Sequence, residues 1–299
     1  MMKTALLDIG SNTIRLVVYQ PEGGALNPVY ESKENARLIS LVQAGRLPEA
    51  GIRQLSQWIS QMKAQAEEQG AQKLCCFSTA SLRGIQNQRE VLDAVEKSCG
   101  VRIHALSGEQ EALCDFEGLK AAAGIPALIG CDLGGGSAQI FSSSSEGLQW
   151  WASLPIGCLK MTNEYVEGFL PTAEEESQLR SAVRQQLLSQ PRLYENSYDT
   201  LYLTGGSARA ALRLAQNLLG QQTKLVPREG LRQLIRRLRD ENENVRALLT
   251  RYVPGREEII LPGMMVLDEI SHAAGVKQLS VEEYGVREGY LIRHVLKNR

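Results

Sequence analysis

The sequence predicts an α/β protein built from a duplicated unit, and two observations lead to that prediction. The stretches "LLDIGSNTIRLVVY" (6–19) and "LIGCDLGGGSAQIF" (128–141) each read as an apolar run, an Asp-x-Gly turn and a second apolar run. Their aspartates stand 124 positions apart (132 − 8). Each hairpin is then followed by alternating helix-like and strand-like segments, which indicates a coarse internal duplication.

The first half of the chain is predicted to open with strands and to continue as alternating helices and strands. In order, these are strands at 4–9, 14–20 and near 26–33, a helix at about 48–69, a strand at 73–79, a helix at 89–100, a strand at 101–107 and a helix at 108–122. The helix at 48–69 opens at Pro48 and carries an apolar stripe from Ile52 to Met62 at three- and four-residue spacing. Gly124 and Pro126 end the last helix.

The second half repeats this order. The predicted elements are a hairpin at 127–144, a further strand at 148–157, helices at about 158–168 and 172–189, a strand at 200–206, a helix from Ser207, helices at 228–242 and 257–273, a strand at 277–285 and a helix at 285–297. The Ser-rich stretch at 142–147 is predicted to be a hairpin turn.

Composition restricts the function classes. A chain of 299 residues is long enough for two domains with their own cores. The net charge of −1 gives no overall field that would draw nucleic acid or a membrane surface. No apolar run approaches the ~20 residues of a membrane span, and the N-terminus lacks a secretory pattern, so we expect a cytoplasmic protein.

The cysteines and histidines do not suggest a metal cluster. Six cysteines show no paired ligand spacing, and the three histidines are scattered. We favour buried free thiols in a reducing compartment.

The two turns suit phosphate. Glycine-rich turns between strands can direct successive N–H groups into a concavity that binds phosphate oxygens. Gly134, Gly135 and Gly136 permit close approach, and Ser11, Asn12, Thr13 and Ser137 add side-chain donors. An aspartate at each strand end, Asp8 or Asp132, can hold Mg²⁺. Ordinary hairpin turns have a similar composition, but two equivalent copies favour a phosphate clamp. The chain continues as a strand after "GGGSAQ", which argues against a dinucleotide fingerprint.

Two further segments could serve an anion site, each with a structural alternative. Arg83 follows a buried strand in "STASLRG", where loops often carry function. Glu109 and Glu111 stand at a helix start in "SGEQEA", a position that acidic residues also favour because of the helix dipole.

The predicted helix at 228–242 is basic. Arg228, Arg232, Arg236 and Arg239 share one face. This face is either solvated or a track for a polyanionic chain.

Seven segments in order resemble the exopolyphosphatase / guanosine pentaphosphate phosphohydrolase family, within the sugar-kinase/actin-like ATPase superfamily. They are "DIGSNTIRLVVY", "STASLR", "SGEQEA", "DLGGGSAQ", "LPIGCLKM", "LTGGSARAA" and the closing "LPGMMVLDEI" with "VREGYL". The resemblance covers nearly the whole chain and is that of a short, two-domain member.

The resemblance implies duplicated ribonuclease-H-like (actin-like ATPase) domains, 1–118 with 286–299 and 119–285, and an active site in the cleft between them. It implies Mg²⁺-dependent hydrolysis of the terminal phosphoanhydride of inorganic polyphosphate or of guanosine pentaphosphate (pppGpp). Larger members pair, so a homodimer is also expected.

The resemblance also assigns roles by position. Glu111 matches the base that activates water, Asp132 a metal-associated aspartate and Arg83 a phosphate-binding arginine. The phosphate-binding turns correspond to Gly10, Ser11, Asn12, Thr13, Gly134, Gly135, Gly136 and Ser137, with a third turn at Gly205, Gly206 and Ser207.

Two positions depart from the family pattern. Gln139 stands where the family has a second catalytic-site glutamate, and Gln110 replaces the first glutamate of "SGEQEA". A glutamine keeps an acceptor oxygen but cannot act as a base. A polyphosphate- or alarmone-binding sensor with weak or no turnover is therefore an alternative to a hydrolase, and a kinase-like ATP user is a weaker one.

Overall fold

The structure is a computed structural model that describes residues 2–22, 25–195, 198–240 and 244–296. Contacts within the chain divide it into two compact units, Met1–Gln110 and Glu111–Arg299. The predicted domain assignment, 1–118 with 286–299 and 119–285, stays a prediction.

The first unit is built on a five-stranded sheet of order β3-β2-β1-β4-β5. Its elements are β1 (Thr4–Ile9), β2 (Ile14–Glu22), β3 (Ala25–Glu34), a 3₁₀ turn (Leu38–Leu41), α1 (Glu49–Glu68), β4 (Lys73–Ser78), α2 (Ala80–Arg83), α3 (Gln88–Cys99) and β5 (Ile103–Ala105). The first three strands pair antiparallel, and β4 and β5 add parallel to β1.

The second unit contains most of α4 (Gly108–Ala123) and a six-stranded sheet of order β10-β11-β9-β6-β7-β8. Its further elements are β6 (Ile129–Leu133), β7 (Ala138–Ser144), β8 (Gly147–Leu154), α5 (Cys158–Tyr165), α6 (Ala173–Leu188), α7 (Pro191–Tyr194), β9 (Thr200–Thr204), α8 (Gly205–Leu219), β10 (Leu225–Pro227), α9 (Arg228–Asp240), α10 (Val245–Tyr252), α11 (Ile260–Ala273), β11 (Gln278–Val281) and α12 (Val286–Leu291), followed by a π turn (Ile292–Leu296).

The two sheets repeat one topology. The order β3-β2-β1-β4-β5 of the first matches β8-β7-β6-β9-β11 of the second, to which β10 adds an antiparallel edge. In both, an antiparallel meander joins parallel strands that are connected through helices. The predicted α/β class and the duplicated unit are confirmed.

Each unit has its own apolar core. In the first, the stripe of α1, including Leu55 and Ile59, is fully buried against strand residues such as Leu7. In the second, all five residues of β6 are buried, and α11 is buried along Ile260–Ser271. Strand β6 and helix α11 are thus covered on all sides, and each lies in the middle of its layer, as apolar sequences of this kind predict.

Several predicted boundaries need correction. Helix α10 was not predicted, because an eight-residue amphipathic stretch between charged residues gives a weak periodic signal. Helix α5 ends at Tyr165 since Val166 is extended, α8 begins at Gly205, and α11 begins at Ile260 after a Pro-Gly turn. Residues 241–242 and 297, predicted as helix ends, lie outside the described residues.

Within the described residues, no helix combines the length and apolar character needed to cross a bilayer. All six cysteines are free thiols, and Cys76, Cys114, Cys131 and Cys158 are buried.

Candidate active site

Each unit has a glycine turn at the same point of its sheet. The Gly10 N–H donates to the Thr13 carbonyl oxygen (3.1 Å), and the Gly134 N–H donates to that of Ser137 (3.0 Å). In the flanking strands Asp8 is paired with Arg15, and Asp132 with Gln139. The duplication therefore extends, residue by residue, through both turns.

Helix α5 holds the turn of the second unit. The N–H groups of Cys158 and Lys160 donate to the carbonyl oxygens of Gly134 (3.0 Å) and Gly135 (2.9 Å). In a trans peptide the N–H points opposite to the carbonyl, so the N–H groups that follow these two carbonyls point away from α5. Such an array of N–H groups suits an anion.

The turn of the first unit is held in a similar way. Its Ser11 and Asn12 carbonyl oxygens accept from the N–H groups of Ile39 (3.3 Å) and Arg37 (2.9 Å). The N–H groups of Asn12 and Thr13 consequently face away from the 3₁₀ turn. Ser11 and Asn12 are buried, and the Asn12 amide donates to the Thr13 hydroxyl (3.2 Å).

A row of polar side chains crosses the sheet of the second unit. Thr204, Asp132, Gln139 and Ser153 stand directly opposite one another on β9, β6, β7 and β8. Directly paired residues share a face of the sheet. Thr204, Asp132 and Gln139 are 2%, 8% and 0% exposed, and Ser153 is half-buried; these four residues are here called the polar row.

Helix α4 covers the same face. Successive side chains of a strand alternate between faces, so Gly130 and Asp132, two residues apart, face the same side of the sheet. A Cβ on Gly130 would lie 2.9 Å from Leu119 of α4, which places the helix on that side. The short connection from α4 to β6 makes the helix run back along the strand, so Glu111 lies toward the end that carries Asp132. Glu111 is 3% exposed.

The start of α4 explains Gln110. Its side-chain oxygen accepts from the Ser107 N–H (2.9 Å), and the Ser107 hydroxyl accepts from the Gln110 N–H (3.1 Å). This is a reciprocal capping box, which glutamine forms as well as glutamate does. Gln110 thus fixes the first turn of the helix that bears Glu111.

Main-chain contacts hold α4 in place. A Cβ on Gly118 would overlap the Gly285 carbonyl, and one on Gly289 would overlap the Cys114 carbonyl. Helix α4 therefore packs directly on the main chain around α12. The Glu288 carboxylate accepts from the Gly285 N–H (2.9 Å) and fixes the start of α12.

The third glycine turn lies beside Asp132. Gly205 has φ +91°, and a Cβ there would overlap the Asp132 carboxylate; the Arg256 guanidinium likewise fills the space beside Gly206. The Ser207 hydroxyl donates to the Cys158 sulfur (3.3 Å) and accepts from Arg256 (3.4 Å). Arg256 was not predicted, although its place after a Pro-Gly turn was a signal.

Arg83 lies at the end of α2, half-buried in the first unit. Its Nη1 donates to the Leu106 carbonyl oxygen (3.4 Å), beside the segment that begins α4. At β1, by contrast, the Ser81 hydroxyl and the Thr79 N–H donate to the Ile9 carbonyl (2.6 and 3.4 Å). The structure thus brings Asp8 and the first turn close to residues 79–81 and directs Arg83 toward β5.

Carboxylates near the turns do not form a preformed metal cage. Among the described residues, no group of three or more His, Cys, Asp or Glu side chains could hold a metal ion. Mg²⁺ commonly uses one or two carboxylates together with substrate phosphates and water. Asp132, placed beside a phosphate-type turn, fits that mode, and Asp8 has the equivalent position in its own unit.

Part of the basic face of α9 is paired with a buried acid. Asp268 of α11 accepts from Arg232 (3.0 Å) and from Arg180 of α6 (2.9 Å), which also donates to Glu269 (2.8 Å). Burial would lower the pKa of Arg180, but hydrogen bonds to Glu269, Glu176 and Asp268 raise it above its usual value. Asp268 thus joins α9 to α6 and α11, whereas Arg236 is 54% exposed and pairs with the exposed Glu229. Whether the exposed part of this face binds a polyanionic chain stays a prediction.

Comparison with known proteins agrees with this arrangement. A model of the Ppx/GppA phosphatase family matches residues 17–298. Exopolyphosphatase 1 of Mycobacterium tuberculosis is 28% identical over 302 residues, which cover 98% of this chain and 88% of that protein. Exopolyphosphatase 2 of the same organism is 26% identical over 313 residues, covering 96% of this chain and 97% of that protein.

Two crystal structures share the fold. A Ppx/GppA family member from Aquifex aeolicus superimposes with a TM-score of 0.81 at 23% identity, covering 100% of this chain and 99% of the other. An exopolyphosphatase from Cytophaga hutchinsonii gives a TM-score of 0.85 at 15% identity and 97% coverage of both chains. The predicted pair of actin-like domains is confirmed, and the chain belongs to the Ppx/GppA phosphatase family, as a phosphohydrolase.

Proposed function

We propose that this phosphohydrolase releases terminal orthophosphate from inorganic polyphosphate. The observation that carries the proposal is the match, along nearly the whole chain, to two proteins named exopolyphosphatases. The polar row and the two N–H-presenting turns supply the chemistry that such a substrate requires.

In the proposed reaction Glu111 accepts a proton from water as the water oxygen attacks the terminal phosphorus. The bridging P–O bond breaks, and its electron pair stays on the oxygen of the shortened chain. The products are orthophosphate and a polyphosphate one unit shorter. Glu111 is 3% exposed, and a carboxylate held in a site of low dielectric can serve as a general base.

We assign the remaining roles by the groups each turn presents. Gly134, Gly135, Gly136 and Ser137, with Gly205, Gly206 and Ser207, bind phosphate oxygens in the second unit. Gly10, Ser11, Asn12 and Thr13 bind phosphate in the first. Arg83, which lies toward β5 and not at this turn, is assigned a phosphate contact by its match to the family's arginine. Hydrogen bonds from N–H donors to an ionised phosphate are charge-assisted and are stronger than hydrogen bonds between neutral groups.

Mg²⁺ is the metal that these oxygen donors fit best. Asp132, and Asp8 in the first unit, would hold it with substrate phosphate oxygens. When bound, it would neutralise charge that develops on the phosphates.

Gln139 favours one alternative, a sensor that binds polyphosphate or pppGpp with little turnover. Hydrolysis of pppGpp itself is the second substrate possibility, because the same terminal phosphoanhydride chemistry applies. The kinase hypothesis is not retained, since the family model is that of phosphatases. A homodimer stays a prediction.

The test measures orthophosphate released from long-chain polyphosphate, and from pppGpp, in the presence and absence of Mg²⁺. Glu111→Gln should lower kcat by about 10²–10⁴-fold, because a positioned base contributes that much. Glu109→Gln is the matched control: it neutralises the exposed neighbour on the same helix and should stay within about twofold of wild type.

Gln139→Glu separates the enzyme from the sensor. If the wild type binds polyphosphate without releasing phosphate while Gln139→Glu releases it, the sensor hypothesis stands and hydrolysis is refuted. If wild type hydrolyses polyphosphate and Glu111→Gln does not, the sensor hypothesis is excluded.

A further inference from the structure

We infer that Ser153 is a positioning residue: with Ser137 it fixes the amide of Gln139 so that the amide oxygen accepts a hydrogen bond from the attacking water. The inference rests on the proposed hydrolysis. It assigns a role to a serine on β8 and gives Gln139 a task that needs no negative charge.

The amide of Gln139 is held at its nitrogen. Nε2 donates to the Ser137 hydroxyl (2.8 Å) and to the Ser153 hydroxyl (3.0 Å), so both of its protons are used. Ser137 lies two residues away on the same face, and Ser153 stands directly opposite on β8. Two acceptors on one nitrogen leave the amide no freedom to rotate without losing both bonds.

Fixing the nitrogen fixes the oxygen. Oε1 of Gln139 is buried and has no hydrogen-bond partner among the described residues. A buried acceptor without a donor is destabilising, so a molecule that donates a hydrogen bond to Oε1 would be bound favourably. The oxygen belongs to the polar row, next to Asp132 and on the face that α4 covers with Glu111.

Water is the donor that fits this position. Asp132 and Glu111 are acceptors when ionised, and they cannot supply a proton to Oε1. A water molecule can donate one hydrogen to Oε1 and the other to Glu111. In other enzymes that hydrolyse phosphoanhydrides a glutamine orients the attacking water. The protein contributes to such reactions mainly by positioning the reactants and by stabilising charge.

At position 139 a glutamine and a glutamate would make different hydrogen bonds with the two serines. A glutamate would have no N–H to donate, so both serines would have to donate to it. The amide instead leaves the hydroxyl proton of Ser137 available to a phosphate oxygen, because Ser137 already accepts from Nε2. The orientation of the Gln139 amide therefore also determines that the Ser137 hydroxyl accepts from Nε2 and can donate to phosphate.

The kinetic test is a double-mutant cycle. Ser153→Ala should lower kcat for polyphosphate about tenfold with KM within about twofold, because water is misplaced while the phosphate contacts remain. In a Gln139→Ala background the same change should have an effect below about twofold, since Ser153 acts through Gln139. Ser153→Thr, which keeps the hydroxyl, should restore most of kcat.

Ser143→Ala provides the matched control. Ser143 is also a serine of this sheet, 1% exposed, and its hydroxyl donates to the Pro126 carbonyl oxygen (2.9 Å), away from Gln139. A fall in kcat equal to that of Ser153→Ala would reduce Ser153 to a structural role. Equal effects of Ser153→Ala with and without Gln139 would also overturn the inference.

An NMR measurement decides the amide orientation whether or not the protein turns over substrate. The side-chain amide signals that disappear in Gln139→Glu identify Gln139. Its two protons should exchange slowly with solvent in the wild type and in Ser143→Ala, and faster in Ser153→Ala. Fast exchange in the wild type would show that the nitrogen, not the oxygen, faces water and would refute the inference even if hydrolysis is observed.

Discussion

At the scale of single residues, the two glutamines that depart from the family pattern have different explanations. Gln110 completes a capping box with Ser107, so the change from glutamate is conservative there. Gln139 lies in the polar row with its amide held by two serines. The sequence marks both positions as departures, but only the hydrogen-bond partners separate a local helix function from a site function.

Gly205 should be required for the geometry of Asp132 as well as for the backbone. It has φ +91°, and a Cβ would overlap the Asp132 carboxylate. We expect Gly205→Ala to lower phosphate release by at least about tenfold and to destabilise the fold by about 1–2 kcal/mol, the usual penalty for a left-handed alanine.

Gly220→Ala is the control for the backbone penalty. Gly220 also has a positive φ (+69°) but has nothing within 4 Å of the added Cβ. Thermal unfolding should show the backbone penalty alone in Gly220→Ala, with activity kept, and at least that loss of stability in Gly205→Ala, where the added Cβ also meets Asp132. Full activity in Gly205→Ala would contradict a role for the third turn in placing Asp132.

At the scale of elements, helices α6, α9 and α11 are joined by charge as well as by apolar contact. Periodicity in the sequence correctly places the arginines of α9 on one face. It does not show their partners, because Asp268 and Glu176 are distant in the chain and their approach depends on the tertiary fold. The same limit applies to α10, which is stabilised by packing more than by its own sequence.

Asp268 should be more important for stability than an exposed acid of the same network. Its side chain is 7% exposed and meets Arg180 and Arg232. Asp268→Ala leaves these arginines without their buried partner, so the free energy of unfolding should fall by about 3 kcal/mol. Asp240→Ala removes an acid that is 64% exposed and pairs with Arg239, and should cost less than about 1 kcal/mol. Denaturant titration compares the two; equal losses would disprove the argument.

At the scale of the whole molecule, the sequence was most informative where the chain repeats itself. Aligning "DIGSNT" with "DLGGGS" predicted equivalent hairpins, and the structure has them at the same point of two sheets with one strand order. The polar row was not predicted, because it combines residues of four strands whose register is set by the fold. Ser153 was missed for the same reason. Arg256 was missed because its approach to Gly206 depends on the tertiary fold, although the Pro-Gly turn before it was a signal.

The six thiols allow the stability of each unit to be followed separately. Burial, and then the charge of a neighbouring aspartate, raises the pKa of Cys76 in the first unit and of Cys131 in the second well above the usual value; burial foremost raises the pKa of Cys114 to about 12. At pH 8 these thiols should resist maleimide in the native protein, while the half-buried Cys75 and Cys99 react first.

Mass spectrometry of labelled peptides at increasing denaturant then gives one unfolding curve for Cys76 and one for Cys131. Labelling of Cys131 as rapid as that of Cys75 in native buffer would contradict the burial of β6.

The main-chain contacts of α4 have an evolutionary consequence. A side chain at Gly118 or Gly289 would meet a backbone carbonyl, and a backbone cannot be made smaller by a second mutation. Most packing conflicts leave a lineage the option of a compensating change in a neighbouring side chain, but these two do not. Substitutions can therefore accumulate on the surface of α4 while Gly118 and Gly289 stay glycine. The helix that carries Glu111 then keeps its position in the fold while the rest of the sequence diverges.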